Sequence, residues 1–245
     1  MVKSETEGRA GSTRGQPART RECQLGCVFT ETDVDDQGRP VRDEGSTTDV
    51  GGIETSEEFG LRMDTEAYHR GWDQTCIRVV MGDGSHWIWN IADQHFPGAI
   101  QIVDRYHARE PLWDLAGKRY PADETGKKRR LICQLDWLEI GKIAKLVGAL
   151  RRRANSSTNL ELDQGDWYRG RLLRGQPGSH ALLRVRQYKL FVGSGVIEAG
   201  CQTVIGSQLR PSGMFWTVCG ANAMIALRCG CMSGKFEDYW EVRTA

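Results

Sequence analysis

Apolar residues in the first half of the chain alternate between strand and helix spacing. Residues 22–30 form an apolar run, the segment 34–40 has turn chemistry, and a second strand is expected around residues 47–53, so a hairpin-like pair is predicted. Thr55 and Glu58 then form a capping-box pattern, and the apolar residues after them recur at helical spacing until a glycine interrupts them. An amphipathic helix is therefore predicted directly after the two strands.

Two short, continuous apolar runs follow, of the kind found in buried parallel strands. The first covers residues 76–81 and ends at Gly-Asp-Gly, and the second covers residues 99–103 and ends at Asp104. Between them, apolar residues from 87 to 96 have helical spacing. This strand-helix-strand order predicts a right-handed crossover and a parallel pair, so residues 22–116 are expected to form one α/β sheet domain.

The second half of the chain has mainly helical spacing. Leucines and other apolar residues recur at that spacing between residues 106 and 150, whereas residues 154–190 have glycines and a proline without a sustained period and predict irregular chain. Helices are predicted again at 196–205 and 216–228. We therefore expect a flexible, polar arm (1–21), a sheet core (22–116), a helical to irregular insertion (117–190) and carboxy-terminal helices (191–245).

Composition and charge exclude several classes of protein. The 245 residues are 39% hydrophobic and 27% charged, which is ordinary for a soluble domain. No apolar stretch approaches the roughly 18–20 residues of a membrane span, and the first thirty residues have no signal-peptide core, so we expect a cytoplasmic protein without membrane contact. Thirty-three Lys and Arg against 32 Asp and Glu leave a net charge of +1. Any basic surface must therefore be local. The basic runs 127–130 and 151–153 are the candidates for a nucleic-acid contact, although such runs are also typical of solvated helix faces.

The eight cysteines do not predict a zinc site or a disulfide framework. They are scattered along the chain, and none has the C-x2-C spacing with which two thiolates grip one tetrahedral zinc ion. Reduced thiols are therefore expected.

Acidic residues follow both predicted parallel strands. Asp83 and Asp104 lie where open α/β sheets place ligand chemistry, at the carboxyl ends of the strands. If the strands are neighbours, the two carboxylates can share a divalent cation, and their hard oxygen atoms suit Mg²⁺ or Mn²⁺. Aspartate is also a common turn and helix-cap residue at such positions, and that structural role is the alternative.

Two further residues are candidates for the same chemistry. Glu198 lies in GSGVIEAG, where small residues on both sides leave its carboxylate unobstructed, although an exposed helix position explains it equally well. His107 follows Asp104 by three residues, and it can orient that acid or a phosphate from the same helix face. An ordinary surface or core histidine is the alternative.

Four segments of the chain closely resemble bacterial insertion-sequence transposases of the Kra type. The segments are VVMGDGSHWIWNIADQHFPGAIQIVDRYHARE, LFVGSGVIEAGCQTVIGSQL, SGMFWTVCGANAMIALRC and FEDYWE, and the resemblance covers roughly residues 1–150 and 188–242 but not 154–187. These transposases belong to the DDE class and are distant relatives of Mutator-like transposases. The resemblance implies a ribonuclease-H-like mixed sheet flanked by helices, with a helical insertion before the last catalytic helix.

The resemblance also implies roles for individual residues. Asp83, in a Gly-Asp-Gly turn before a helix that ends in Phe-Pro-Gly, matches the second acid of the triad, and Glu198 matches the third. Asp104 and His107 match the accessory (Cys or Asp)-x2-His element, and Asp104 remains the alternative for the second acid. The implied reaction is phosphoryl transfer with two Mg²⁺ or Mn²⁺ ions held by three carboxylates. The implied partners are terminal inverted repeats, target DNA and further copies of the chain in a homo-oligomer.

Two departures from the family limit this interpretation. Family members carry the first catalytic aspartate in an Asp-Gly-Thr-Gly-x-Pro segment, which is expected immediately before Met1, so the first strand and first acid are expected to be missing and the chain inactive as it stands. Residues 154–187 lack the charged helix that is usual in the family. A non-catalytic DNA-binding remnant of a transposase and another ribonuclease-H-like nuclease are the alternative functions.

Overall fold

The computed structural model describes residues 4–8, 19–139, 142–154, 195–209 and 214–244, and the single residues 188, 190 and 193. The strands are β1 (Ser4–Gly8), β2 (Arg19–Val28), β3 (Asp33–Val34), β4 (Pro40–Val41), β5 (Thr48–Gly52), β6 (Val79–Gly82) and β7 (Ile100–Val103). The helices are α1 (Ser56–His69), α2 (His86–His95), α3 (Arg105–Arg119), α4 (Glu124–Glu139), α5 (Ile143–Ala154), α6 (Gly195–Gly200), α7 (Val218–Met232) and α8 (Phe236–Thr244). The protein is thus a mixed α/β protein with small sheets.

The chain divides into two compact units. Unit 1 comprises Met1–Arg78, Asn90–Gly98 and Ser194–Ala245, and unit 2 comprises Val79–Trp89 and Ala99–Gly193. The boundaries of these units differ from those of the predicted segments. The parallel strands β6 and β7 are in unit 2 with the helices that follow them, whereas the earlier strands are in unit 1.

Unit 1 contains an antiparallel sheet of three strands in the order β1-β2-β5. Strand β2 pairs with β5 from Gln24 opposite Gly52 to Val28 opposite Thr48, which confirms the predicted hairpin-like pair. The connection between them contains the two-residue strands β3 and β4, also paired antiparallel.

Helix α7 is tied to β5 at both ends by polar side chains. The backbone N–H of Ile53 donates to Oδ1 of Asn222 at 2.7 Å, and Nδ2 of Asn222 donates to the carbonyl oxygen of Ile53 at 3.2 Å. Ser233, the C-cap residue of α7, lies eleven residues after Asn222, and its Oγ accepts from the N–H of Asp49 at 2.9 Å. The helix therefore follows the length of the strand. Apolar residues of β2, the helical run 195–209 and α7 form the core between these contacts: Cys23, Leu25, Ile197, Cys201, Val204, Ile205, Leu209, Ala221, Ile225 and Cys229.

Two thiols in this core are held strongly in the protonated form. Cys23 and Cys229 are buried, with 2% and 5% of their surfaces exposed. Burial raises the pKa of each thiol to about 12, because a thiolate would lose its hydration there. All eight cysteines are free, and Cys76, Cys219 and Cys231 are exposed.

Helix α1 begins with the capping box that the sequence predicts. The N–H of Glu58 donates to Oγ1 of Thr55 at 3.2 Å, and the N–H of Thr55 donates back to Oε2 of Glu58 at 2.9 Å. The bond from Thr55 lowers the pKa of the Glu58 carboxyl, since it favours the charged form.

In the part of unit 2 that the structure describes, one parallel strand pair is combined with the helices α3, α4 and α5. Strands β6 and β7 are paired parallel in register from Val79 opposite Ile100 to Gly82 opposite Val103, with α2 between them in sequence, which confirms the predicted strand-helix-strand pattern. The predicted helical leucines lie on α3, α4 and α5 and pack together as one core: Ala108, Leu112, Leu115, Ala116, Leu131, Leu138, Leu146, Val147 and Leu150.

Two sequence predictions differ from the structure. The single sheet predicted over residues 22–116 is wrong, because β2–β5 and β6–β7 belong to separate sheets. Strand spacing shows which residues are extended but not which distant strand each will join. The arm predicted over 1–21 contains β1 and the start of β2, paired from Ser4 opposite Cys23 to Gly8 opposite Arg19. Residues 155–187, for which irregular chain is predicted, lie outside the described residues.

Within the described ranges, no helix has both the length and the apolar character that a membrane crossing needs.

Candidate functional site

The two acids predicted at the strand ends lie side by side in unit 2. Gly82 and Val103 are paired residues at the carboxyl ends of β6 and β7, and Asp83 and Asp104 are the residues that follow them. The N–H of Asp104 donates to the carbonyl oxygen of Gly82 at 2.7 Å and so fixes the two chain ends together. Since paired strands lie about 4.8 Å apart, the two aspartates follow the sheet at neighbouring positions at the same end of the strands. We call them the acid pair.

One carboxylate oxygen of Asp104 caps a helix, and the other has no hydrogen-bond partner among the described residues. It is the N-cap of α3, where its Oδ1 accepts from the N–H groups of Tyr106 at 2.8 Å and His107 at 2.9 Å. The residue is only 1% exposed, and its Oδ2 is buried without a hydrogen-bond partner in the part of the chain that the structure describes. A buried, unsatisfied carboxylate oxygen is costly, and a bound cation would compensate it.

Asp83 lies in a tight turn that needs both of its flanking glycines. A Cβ on Gly82 would lie 2.8 Å from the side chain of Ile88, so the missing side chain lets α2 pack closely against the end of β6. Gly84 has a φ of 97°, which other residues rarely adopt. Between them, Oδ1 of Asp83 accepts from the N–H of Ser85 at 2.8 Å. The half-buried carboxylate is thereby held in a fixed turn.

Replacing Gly84 is expected to damage this turn. We expect Gly84→Ala to lower the free energy of unfolding by about 1–3 kcal/mol, because alanine must adopt a positive φ there. Gly117→Ala on α3 is the matched control. A Cβ there meets nothing within 4 Å, so helix propensity should make that change neutral or stabilising. Urea denaturation of both variants measures the difference, and equal stabilities would contradict the strain at Gly84.

His107 interacts with a neighbouring acid on its own helix. Its Nδ1 lies 3.7 Å from Oε2 of Glu110, and its side chain is about one-third exposed, at 38%. The backbone of His107 is bonded to Asp104, but no described contact joins its imidazole ring to the acid pair. The backbone of His107 therefore lies beside the acid pair, with its ring turned to Glu110.

Glu198 lies in unit 1, on the short helix α6. It is exposed, whereas its neighbours Ile197 and Gly200 are buried in the unit 1 core. The chain continues directly into the π-helical run Cys201–Gly206, a rare conformation that occurs mostly as single turns and often at functional sites. The role of Glu198 as the third acid of the triad, which the resemblance implies, stays a prediction.

Among the described residues, no group of three or more His, Cys, Asp and Glu side chains is arranged to hold a metal ion. The acid pair alone supplies two carboxylates, which is fewer than the three that the resemblance implies.

Two exposed aromatic residues on α3 were missed by the sequence interpretation. Tyr106 and Trp113 are 66% and 53% exposed, although aromatic side chains usually bury most of their surface. Their seven-residue separation on a predicted helix was the available signal, because it places both on one face.

No family model, curated protein or solved structure matches the chain.

Proposed function

We propose that this protein belongs to a metal-dependent DNA strand-transfer system, in which the acid pair binds a divalent cation at the reacting phosphate. The observation that carries the proposal is the placement of Asp83 and Asp104 at the same end of a parallel strand pair. The resemblance to insertion-sequence transposases of the ribonuclease-H-like DDE class supports the choice of reaction and of DNA as the substrate.

The residues of the acid pair suit Mg²⁺ or Mn²⁺. Both ligands are carboxylates, which these hard cations prefer, and the unpartnered Oδ2 of Asp104 is a buried acceptor that lacks a proton donor in the described chain. When bound, such an ion would polarise a phosphate oxygen and lower the pKa of an attacking water or hydroxyl group. Asp83 and Asp104 would hold it.

The protein's own contribution is a rigid position for the two carboxylates. The bond from Asp104 N–H to the Gly82 carbonyl oxygen fixes the strand ends, and the helix cap fixes the rotation of the Asp104 carboxyl. Asp83 is fixed by its bond from Ser85. Preorganised ligands need little rearrangement when the substrate arrives, which is what catalytic sites require.

Direct Mn²⁺ binding tests this proposal. We expect Asp83→Asn and Asp104→Asn each to weaken Mn²⁺ binding at least about tenfold, since each change removes a charged ligand. Asparagine is chosen because its amide oxygen still accepts hydrogen bonds, so Asp104→Asn keeps the cap of α3. The free Mn²⁺ concentration during a titration is measured by electron paramagnetic resonance.

Asp136→Asn is the matched control, because Asp136 is an exposed acid on α4 in the same unit. It should bind Mn²⁺ as the unchanged protein does. If the double variant Asp83→Asn/Asp104→Asn also bound Mn²⁺ with unchanged affinity, the acid pair would not be the metal site and the proposal would fail.

A further inference from the structure

The exposed aromatic residues of α3 form a continuous face beside the acid pair. Tyr106 follows the N-cap Asp104 by two residues, and Trp113 is seven residues further along the helix. At 3.6 residues per turn, seven residues are close to two full turns, so both side chains lie on one side of α3 with their Cα atoms about 10 Å apart along the axis. We call this the aromatic face.

The aromatic face is separate from the helix surface that packs in the core. Ala108, Leu112, Leu115 and Ala116 are buried and belong to the same core cluster as residues of α4 and α5. Tyr106 and Trp113 remain mostly exposed in the described structure. Flat aromatic rings in water are suited to stack on nucleic-acid bases, which all have a π-face.

Positive charge is concentrated at the other end of α3, where the chain turns into α4. Residues 117–130 contain six Lys and Arg but only two Asp and Glu. Lys118, Lys128 and Arg129 are exposed and have no ion-pair partner within the described chain, whereas Lys127 lies 3.3 Å from Oε1 of Glu124. We call these three free cations the basic turn.

We propose that the aromatic face stacks on bases of single-stranded DNA and leads that strand to the acid pair, while the basic turn binds its phosphates. The inference rests on the proposed function, because it names the form of DNA that the same site would take. The 10 Å between Tyr106 and Trp113 corresponds to about three base steps of about 3.4 Å each.

The charges on α3 agree with stacking rather than phosphate contact at its centre. Glu110 lies on the aromatic face between Tyr106 and Trp113, with its carboxylate 3.7 Å from His107 Nδ1. A carboxylate repels phosphate but does not prevent a base from lying on a neighbouring ring. Phosphates are therefore bound at the basic turn, where the local charge is positive.

Metal-free DNA binding tests the aromatic face without depending on catalysis. The affinity of the whole chain for a fluorescein-labelled single-stranded oligonucleotide is measured by fluorescence anisotropy in EDTA. We expect Trp113→Ala to weaken binding about 5- to 150-fold, the range for loss of one base-stacking contact, with the slope of affinity against salt unchanged. Trp113→Phe should restore most of the affinity. Lys128→Ala/Arg129→Ala should instead reduce the salt slope.

Tyr68→Ala is the matched control, because Tyr68 is 67% exposed on α1 in the other unit and should not affect binding. The inference is overturned if the unchanged chain does not bind the oligonucleotide, or if Trp113→Ala binds it as tightly as the unchanged chain. It is also overturned if Trp113→Ala loses affinity for a DNA duplex by the same factor as for the single strand. Loss of self-association in Trp113→Ala with unchanged DNA affinity would instead assign the aromatic face to a second copy of the chain, and would also overturn the inference.

The two experiments distinguish the two proposals. Stacking without Mn²⁺ binding would refute the proposed function alone, and Mn²⁺ binding without stacking would refute this inference alone.

Discussion

Cleavage of terminal-repeat DNA is expected to fall at least about 100-fold when Asp83 is replaced by asparagine. The comparison uses the chain joined to an Asp-Gly-Thr-Gly-x-Pro segment, the element in which the resemblance places the first acid of the triad. The expected loss of activity is this large because Asp83 is proposed as a metal ligand itself. Mutation of a residue that only hydrogen-bonds to a metal ligand typically lowers activity or metal affinity 10- to 100-fold. Strand cleavage and joining in Mn²⁺ are followed on labelled DNA.

The same assay decides which aspartate is the second acid of the triad. Activity that survives Asp83→Asn but is lost in Asp104→Asn would assign that role to Asp104 instead. Both variants keep a hydrogen-bonding oxygen, so a difference between them reflects charge rather than loss of the turn or helix cap. Metal-dependent joining by the chain without the added segment would contradict the need for a first acid there.

Alkaline pH is expected to unfold unit 1 because of its buried thiols. The pKa of Cys23 and Cys229 is about 12 in the folded protein and about 8.5 in an unfolded chain. The folded state therefore keeps protons that the unfolded chain releases. Its stability is fully present below about pH 8.5 and is lost as the pH rises towards 12. Each thiol contributes roughly 5 kcal/mol to this loss, which is large beside a typical total stability of about 5–15 kcal/mol.

Urea denaturation between pH 7.5 and pH 11 measures the effect. We expect stability to fall steeply above pH 9 in the unchanged protein and more gently in Cys23→Ala/Cys229→Ala, although that variant starts from a lower stability at pH 7.5 because it loses buried sulfur atoms. Cys76→Ala/Cys219→Ala is the matched control, since both thiols are exposed and should leave the slope unchanged. An equal slope in all three proteins would show that other groups cause the alkaline loss.

Features of the structure that depend on neighbouring residues could be predicted from the sequence. The capping box of Thr55 and Glu58 is formed, because both partners lie within one turn of helix. The parallel pairing of β6 and β7 is also formed, because one intervening helix leaves few other ways to join two short buried strands. The acid pair follows from that pairing alone.

Features that depend on distant pairing could not be predicted in the same way. Strand β1 has the sequence Ser-Glu-Thr-Glu-Gly, which lacks apolar alternation, and its place in the sheet comes from backbone hydrogen bonds to β2 that any sequence can make. The sequence also could not show that Asp104 caps a helix and keeps a second oxygen for a ligand, since its position after a strand predicts either role alone. The structure shows one oxygen used for the cap and the other left over.

The hydrogen bonds from α7 and its C-cap occupy backbone groups along one edge of the unit 1 sheet. Strand β5 is an edge of that sheet, and an edge strand with free N–H and C=O groups is a template on which another chain can add a strand. Asn222 takes both backbone groups of Ile53, and Ser233 takes the N–H of Asp49. Asn222 of α7 and its C-cap residue Ser233 thus occupy backbone groups along this edge and leave fewer of them open to a strand from another molecule.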